Sequence, residues 1–242
     1  MRKNEKINWG EFPEFYGPRD YFRNTLIIKK VKIFLKKGSN ILDFGYGVGN
    51  LAIRLASLNY NVICYDVSEL SIKFLEKRVK KLSIKIIKDK NLLFNSNKKI
   101  DGICCGEVLE HIEDDRSIIN LFKNLLKNGG VCIITVPAKK TYWDRSDILA
   151  YHYRRYEKET FISLLSSYGF KIIDFYCFGP ITLIWHKLIF LPIFRKNVLN
   201  RFSRKGSIKK ILSFLFYFDF LFLTIDIWNY YLTVIRKYEK KT

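Results

Sequence analysis

The stretch Asn40-Ile-Leu-Asp43-Phe-Gly45-Tyr-Gly47-Val-Gly49-Asn-Leu-Ala52 decides the fold of this 242-residue chain. A short apolar run predicts a buried strand, and the three alternate glycines after it predict a tight turn that leads into a helix. Glycine lets the backbone turn with positive φ and come close to a ligand at a helix N-terminus. The stretch therefore predicts a strand, a glycine loop and a helix that together hold a small molecule.

Short β-rich runs alternate with helical runs along the chain from residue 40 to residue 178. This alternation predicts a parallel sheet covered by helices on both faces. A helix is expected over Thr25 to Leu35 before the sheet begins, and one more strand over Tyr230 to Arg236. The other predicted strands are 40–44, 61–65, 84–88, 100–105, 131–136 and 171–178, and the predicted helices are 49–58, 69–80, 116–127 and 158–168.

The length, with 48% hydrophobic and 27% charged residues, suits one folded domain over residues 1–242. Because residues between the last two predicted strands are apolar or basic and helix-like, we expect them to form an insertion within one sheet. The parts are an N-terminal arm and helix (1–39), a cofactor-binding core (40–178), a hydrophobic and basic helical insertion (179–229) and a closing strand (230–238).

The cysteines and the N-terminus bear on metal binding and on the compartment. All five cysteines stand in apolar runs, with no Cys-x-x-Cys pair and no His at metal spacing, so no metal site is predicted. Buried thiols in odd number suit a reducing compartment, and the first residues lack an apolar stretch long enough for a signal peptide. We therefore expect a cytoplasmic protein. The cysteines are Cys64, Cys104, Cys105, Cys132 and Cys177.

One carboxylate stands at the carboxyl end of each of the first three predicted strands. Asp43 stands two residues before Gly45, where it would repel a pyrophosphate, which disfavours an NAD-dependent oxidoreductase. Asp66 ends the second strand about 20 residues later and can accept both hydroxyls of a ribose. A cap for the next helix, made by Asp66 or Ser68, is the alternative. Asp89 holds the equivalent place after the third strand and could accept an adenine amine, or be a solvated loop residue.

Four pieces of the chain resemble class I S-adenosylmethionine-dependent methyltransferases, in the group that includes ubiquinone and menaquinone biosynthesis enzymes. The resemblance implies a Rossmann-like, doubly wound α/β sheet of seven strands with the last strand antiparallel. The family usually has a small residue where Tyr46 stands. The pieces are Asp43-Phe-Gly45-Tyr-Gly47-Val-Gly49, Tyr65-Asp66-Val-Ser68, Cys104-Cys-Gly-Glu107-Val-Leu-Glu110-His111-Ile, and Leu126-Lys-Asn-Gly129-Gly130-Val-Cys-Ile-Ile-Thr-Val-Pro137.

The resemblance also implies roles for single residues around S-adenosyl-L-methionine as cofactor. Asp43 and the glycines of the loop would hold the methionine end, Asp66 the ribose and Asp89 the adenine. Glu107 would lie near the methionine, and His111 over the cofactor, where we expect a supporting role rather than proton transfer. The implied cofactor-binding set is Asp43, Gly45, Gly47, Gly49, Asp66, Val67, Asp89, Glu107 and His111.

The segment after the fifth predicted strand is the candidate acceptor side, because it ends in His152-Tyr153-Arg154-Arg155-Tyr156. The fork of an arginine suits a carboxylate or phosphate, although surface pairing with Glu157 and Glu159 is the alternative. An acceptor that carries a proton needs a base, and histidine titrates near neutral pH. The predicted catalytic residues are His152 as the base, Arg155 beside the acceptor, and Tyr156, or else Tyr142, as a hydrogen-bond donor.

The net charge of +20, from 43 Lys and Arg against 23 Asp and Glu, suits nucleic acid or an anionic lipid surface, and a compositional bias toward Lys, Ile and Asn is the alternative. A basic run lies between the apolar segments 181–193 and 211–228, which favours a helix pair on the inner membrane face. Asp219 and Asp226 argue against a spanning helix, and an internal cap over the acceptor is a further alternative. The basic residues are Arg195, Lys196, Arg201, Arg204, Lys205, Lys209 and Lys210.

Methyl transfer to O, C or N of a small or amphipathic acceptor is the function these features favour. A nucleic-acid methyltransferase is the first alternative, but the segment after the fourth strand lacks the Asn/Asp-Pro-Pro-aromatic motif of enzymes that methylate exocyclic base amines. A non-catalytic, membrane-associated module that binds the cofactor is the second, and the intact glycine and acid set makes it weaker. The sequence does not name the acceptor.

Overall fold

A computed structural model describes residues 18–79, 82–94, 99–179 and 230–238 of the chain. Seven strands within these ranges form one sheet, in the order β3-β2-β1-β4-β5-β7-β6. Strands β1 to β5 run parallel, and β7 runs antiparallel to both of its neighbours. In chain order the strands are β1 (Asn40–Phe44), β2 (Asn61–Tyr65), β3 (Ile84–Ile87), β4 (Ile100–Gly106), β5 (Leu126–Pro137), β6 (Phe170–Phe178) and β7 (Tyr230–Lys237).

Helices cover both faces of the sheet. Buried side chains of α1, α2 and α3 pack on one face, including Phe22, Leu55 and Leu75. Those of α5 and α7, such as Phe122 and Phe161, pack on the other. The helices are α1 (Pro18–Phe34), α2 (Asn50–Ala56), α3 (Glu69–Arg78), α4 (Lys90–Phe94), α5 (Asp115–Leu125), α6 (Arg145–Leu149) and α7 (Lys158–Ser167), with 3-10 turns at Leu109–His111 and Lys140–Tyr142.

Apolar spacing explains why these elements form. Ile118, Phe122 and Leu125 recur every three or four residues along α5 and are buried, which is the period of an amphipathic helix. Residues 131–137 of β5 are buried without alternation, as expected of a strand covered on both faces. The predicted Rossmann-like α/β sheet with an antiparallel last strand is confirmed.

The structure also corrects several predicted boundaries. Helix α1 begins at Pro18, seven residues before the predicted start at Thr25. Helix α5 ends at Leu125 and β5 begins at once, because Leu126 already pairs with Ile100 of β4. The five-residue helices α4 and α6 were not predicted, since so short a run carries no helical period.

The two antiparallel pairings place the end of β6 and the start of β7, which flank the predicted insertion, at one edge of the sheet. Phe178 at the end of β6 pairs with Tyr230 at the start of β7, and Tyr230 pairs with Pro137 at the end of β5. The chain therefore leaves β6 and returns to β7 at the carboxyl edge of the parallel strands. The predicted insertion itself lies outside the described residues, apart from Gly179. In the part of the chain that the structure describes, no helix has the length and apolar character needed to span a bilayer.

Candidate active site

The glycine loop between β1 and α2 has an open side. Gly45, Gly47 and Gly49 all adopt positive φ, at 71°, 54° and 76°. A Cβ on Gly45 would lie 2.4 Å from Val108, and one on Gly49 would lie 2.4 Å from Leu75. A Cβ on Gly47 would meet nothing within 4 Å. Close packing thus requires glycine at the two outer positions, whereas Gly47 exposes its backbone to a ligand.

Asp66 ties this loop to the end of β2. Its Oδ2 accepts the backbone N–H of Gly47 at 2.8 Å, and its Oδ1 accepts that of Ser68 at 2.9 Å. The Ser68 hydroxyl caps α3 by accepting the N–H of Ser71 at 3.3 Å. Burial raises the pKa of Asp66, although these backbone hydrogen bonds act in the opposite direction. The helix cap is therefore made by Ser68, and the role of Asp66 at the ribose stays a prediction.

Asp43, at the same edge, is almost completely buried. Burial raises its pKa to about 7, and the nearby Asp66 carboxylate adds to the rise. Arg23 and the backbone N–H of Ala52 in α2 act in the opposite direction. A carboxylate held this far from water gains strongly from a cationic ligand group.

Several polar atoms around this edge are buried and have no hydrogen-bond partner among the described residues. Arg23 Nε and Thr135 Oγ1 each lie 3.6 Å from the point where a Cβ on Gly106 would stand. Native proteins rarely leave such atoms unpaired unless a ligand or water completes them. These atoms are Arg23 Nε, Asp43 Oδ2, Tyr46 Oη, Glu107 Oε1 and Thr135 Oγ1.

This donor and acceptor set fits an amino acid cofactor such as S-adenosylmethionine. The carboxylates of Asp43 and Glu107 suit its ammonium group, and the Arg23 guanidinium suits its carboxylate. The sequence did not single out Arg23 or Thr135. Arg23 lies near Gly106 because α1 packs on the sheet, a contact that no local sequence motif indicates.

Val67 and Asp89 lie at the outer end of the same edge. Val67 follows β2 and is 86% exposed. Asp89 follows β3, is exposed, and accepts the N–H of Asn91 at 2.8 Å where α4 begins. The assignment of Val67 to the cofactor site and of Asp89 to the adenine stays a prediction.

A single turn joins the glycine loop to the predicted acceptor side. Glu107 follows β4 with φ of 56°, a conformation that non-glycine residues seldom adopt outside strained or functional turns. Its N–H donates to Thr135 O at 2.9 Å. Val108 then packs against Gly45, and the 3-10 turn that follows carries His111.

His111 and His152 lie edge to face, with ring centroids 4.6 Å apart. Burial lowers the pKa of His111 to about 4, and the neighbouring His152 contributes to the fall. The His111 ring is therefore neutral at pH 7. His152 Nδ1 lies 2.7 Å from Asp147 Oδ1. The structure thus places the predicted base against the predicted cofactor-side histidine, although they are far apart in sequence.

Arg155 and Tyr156, both predicted to act on the acceptor, are buried and hold internal partners. Arg155 Nε donates to Oδ1 and Oδ2 of Asp147 at 2.9 and 3.0 Å, and its Nη2 lies 2.9 Å from Oδ2. Tyr156 Oη donates to Asp115 Oδ2 at 2.9 Å. Burial raises the pKa of Asp147, but hydrogen bonds from His152 and Arg155 outweigh it and lower that pKa. Direct contact of Arg155 and Tyr156 with the acceptor stays a prediction.

The alternative of surface pairing with Glu157 and Glu159 does not match the contacts observed. Arg154 Nη1 lies 2.8 Å from Asp115 Oδ2 instead. Glu157 accepts the backbone N–H of Lys140 at 2.9 Å. The acids that hold these arginines are thus Asp115 and Asp147, which come earlier in the chain.

One group of side chains could also take a cation. Glu110, His111 and His152 each bring one donor atom to within 4.8 Å of the other two, in the part of the chain that the structure describes. Two imidazoles and a carboxylate are a common donor set for divalent transition metals. The sequence predicted no metal, since spacing along the chain cannot show that the loop after β5 brings His152 to His111.

The sheet order, with β7 between β5 and β6, and the open glycine loop held by a carboxylate define a class I S-adenosylmethionine-dependent methyltransferase domain. Residues 19–174 match the family model described as a methyltransferase domain, and the chain belongs to that family. S-adenosylmethionine is the cofactor that this family binds.

Known relatives and solved structures agree with this assignment. The chain is 32% identical over 154 residues to a ubiquinone biosynthesis O-methyltransferase of Rickettsia typhi. The matched region covers 59% of this chain and 62% of that protein. It thus spans about three-fifths of the length of this curated relative. The fold resembles phosphoethanolamine N-methyltransferase 2 of Haemonchus contortus in complex with S-adenosyl-L-methionine, with TM-score 0.65, 18% identity, and 93% of this chain and 54% of that one covered.

A second similar structure is the N-methyltransferase NodS of Bradyrhizobium japonicum in complex with S-adenosyl-L-homocysteine. The TM-score is 0.62 and the identity is 18%, over 96% of this chain and 94% of that one. At such identities the likeness concerns the fold alone.

Proposed function

We propose that this chain transfers the methyl group of S-adenosylmethionine to an oxygen, carbon or nitrogen atom of a small or amphipathic acceptor by direct displacement. The observation that carries the proposal is the single turn between the cofactor loop and the predicted base. Val108 packs against Gly45 at one end of the turn, and His111 contacts the His152 ring at the other, at 4.6 Å.

The cofactor, when bound, supplies a methyl group on a positively charged sulfur that is already an activated leaving group. The protein therefore has to align the acceptor and remove its proton. His152 would take that proton, and Asp43, Glu107 and Arg23 would hold the amino acid end of the cofactor. Asp66 would hold the ribose.

An oxygen acceptor on an amphipathic molecule is the form of the proposal that we place first. The curated relative is named as an O-methyltransferase of ubiquinone biosynthesis, and hydroxyl methylation requires the proton removal that His152 would provide. Such a group loses its proton more readily to an imidazole than to water.

Two measurements test the proposal. Calorimetry should detect binding of S-adenosylmethionine and S-adenosylhomocysteine but not of NAD, because the carboxylates of Asp43 and Asp66 beside the glycine loop disfavour pyrophosphate. Untargeted mass spectrometry of metabolites from cells with and without the protein should find a product heavier by one methylene. Tight NAD binding without binding of either sulfur compound would refute the function.

We further propose contact with an anionic membrane surface on the cytoplasmic side. Support comes from the basic run Arg195 to Lys210 between two apolar segments, which lies outside the described residues. An amphipathic acceptor would be concentrated at such a surface.

A further inference from the structure

Asp147, which the sequence did not single out, is held on every side. The side chain is fully buried. Its Oδ1 contacts His152 Nδ1 at 2.7 Å and accepts from Arg155 Nε at 2.9 Å. Its Oδ2 accepts the backbone N–H of Asp144 at 2.8 Å, which completes the capping box of α6. A carboxylate with this many donors has no freedom to rotate.

The neighbours of Asp147 fix where the ring proton of His152 lies. A carboxylate in a bidentate pair with a buried guanidinium is ionised, and an ionised carboxylate can accept hydrogen bonds but cannot donate them. The 2.7 Å contact therefore requires the proton on His152 Nδ1. In a neutral imidazole the lone pair is then on Nε2.

We infer that Asp147, braced by Arg155, is a positioning residue that holds His152 in the Nδ1–H tautomer and makes Nε2 the atom presented for chemistry. Arg155 links this carboxylate to the sheet, since its Nη1 also donates to Ala138 O at 3.3 Å just after β5. His111 contacts the ring from another side. The ring orientation is thus set by α6, by the end of β5 and by the turn after β4.

The inference rests on the proposed function only for the use of Nε2, because the tautomer itself does not depend on the acceptor. Nitrogen-15 NMR of histidine-labelled protein, with S-adenosylhomocysteine bound and a chelator present, reads the tautomer directly. The chain has three histidines, so single His→Gln variants assign the signals. We expect His152 to be protonated at Nδ1 and unprotonated at Nε2.

Asp147→Asn should move His152 toward the Nε2–H tautomer, because an amide can donate where the carboxylate accepts. Asp144→Asn is the matched control, since Asp144 caps the same helix by accepting the N–H of Ser146 at 2.8 Å. If Asp147→Asn fails to fold, Asp147→Asn with Arg155→Gln removes both buried charges together. The inference is overturned if His152 of the wild-type protein is protonated at Nε2. It is also overturned if the folded Asp147→Asn variant keeps the same His152 tautomer as the wild-type protein.

Kinetics provides the second readout. Asp147→Asn should lower kcat about 100-fold, a typical contribution of a correctly placed base, and leave the KM for S-adenosylmethionine within about twofold of wild type. Unchanged kcat in a variant with an altered tautomer overturns the positioning role. If wild-type protein methylates no acceptor, the proposed function fails while the NMR result still decides the tautomer.

Discussion

Asp66 Oδ2 and the backbone N–H of Gly47 are joined by a 2.8 Å hydrogen bond, so the carboxylate after β2 fixes the middle of the loop after β1. The predicted ribose ligand Asp66 and Gly47, the most open glycine of the loop, are thus held together by this hydrogen bond. A change at Gly47 should disturb the cofactor site without disturbing the core.

Gly47→Ala should weaken S-adenosylhomocysteine binding at least about tenfold, because the new methyl enters the ligand side and the positive φ strains the residue by roughly 1–2 kcal/mol. Gly38→Ala is a matched control: Gly38 has φ of 81° and also nothing within 4 Å of its Cβ position, but it lies before β1. Calorimetry on both folded variants measures the difference. Equal affinity losses would show that strain alone is responsible.

Asp43→Asn should stabilise the protein without cofactor at pH 8 while weakening cofactor binding about tenfold or more. The unfolded chain ionises Asp43 near its ordinary pKa of 3.8, whereas the folded chain keeps the proton up to about pH 7. The folded state therefore binds more protons between these values, and wild-type stability falls as pH rises across that window. The Asp43→Asn variant does not lose stability in this way, because an asparagine side chain does not titrate.

Thermal unfolding at pH 5 and pH 8 measures this effect. The melting temperature of Asp43→Asn should exceed that of wild type by more at pH 8 than at pH 5. An identical difference at both pH values would contradict the assignment of the raised pKa.

His152→Ala should lower turnover about 100-fold and change the affinity for S-adenosylhomocysteine by less than about threefold. The reason is that the ring lies beyond the His111 turn, on the acceptor side of the cofactor loop. Tyr153→Ala, a change at the adjacent and 55% exposed residue, provides the control. Wild-type turnover in His152→Ala would exclude the residue as the base.

Tyr156→Phe separates a structural role from contact with the acceptor. Its hydroxyl donates to the buried Asp115, so we expect a loss of about 1 kcal/mol in the free energy of unfolding and a kcat within about twofold of wild type. Urea denaturation and steady-state kinetics are the measurements. A large fall in kcat at unchanged stability would support the sequence-based catalytic role.

Liposomes containing anionic lipid should co-sediment with the protein, and high salt should release it. Each basic residue near such a surface contributes on the order of 1 kcal/mol, and the run from Arg195 to Lys210 contains seven. Binding that resists a salt wash would indicate a spanning helix. Binding that does not depend on the charge of the lipid would contradict the proposed contact with an anionic membrane surface.

The sheet was predictable from sequence because its signals are local. Apolar runs of strand length, followed by glycine at 45 and 47 or by Asp66, repeat along the chain and define the edge where the cofactor site lies. The resemblance implied seven strands with the last one antiparallel, whereas the strand order came from the structure. The two short helices were not predicted because five residues show no helical period.

The acceptor side was less predictable because burial decides the role of each charge there. An arginine such as Arg155 is expected to bind anions, yet its side chain is 4% exposed and is bound to Asp147. Asp147 lies five residues from His152 and eight from Arg155, a spacing that sequence patterns gave no reason to single out. Its contacts depend on how the chain turns after α6, which tertiary packing determines.

The position of β7 constrains the order in which the chain can fold during synthesis. Strand β6 pairs with β7 alone in the described sheet, and β7 is the last of these strands to leave the ribosome. Strands β1 to β5 can assemble as soon as Pro137 has emerged, whereas β6 has to wait for the whole segment between Phe178 and Tyr230 before its neighbour exists. Pairing between strands so far apart in the sequence forms slowly, so we expect docking of the β6–β7 pair to be the slow phase of refolding.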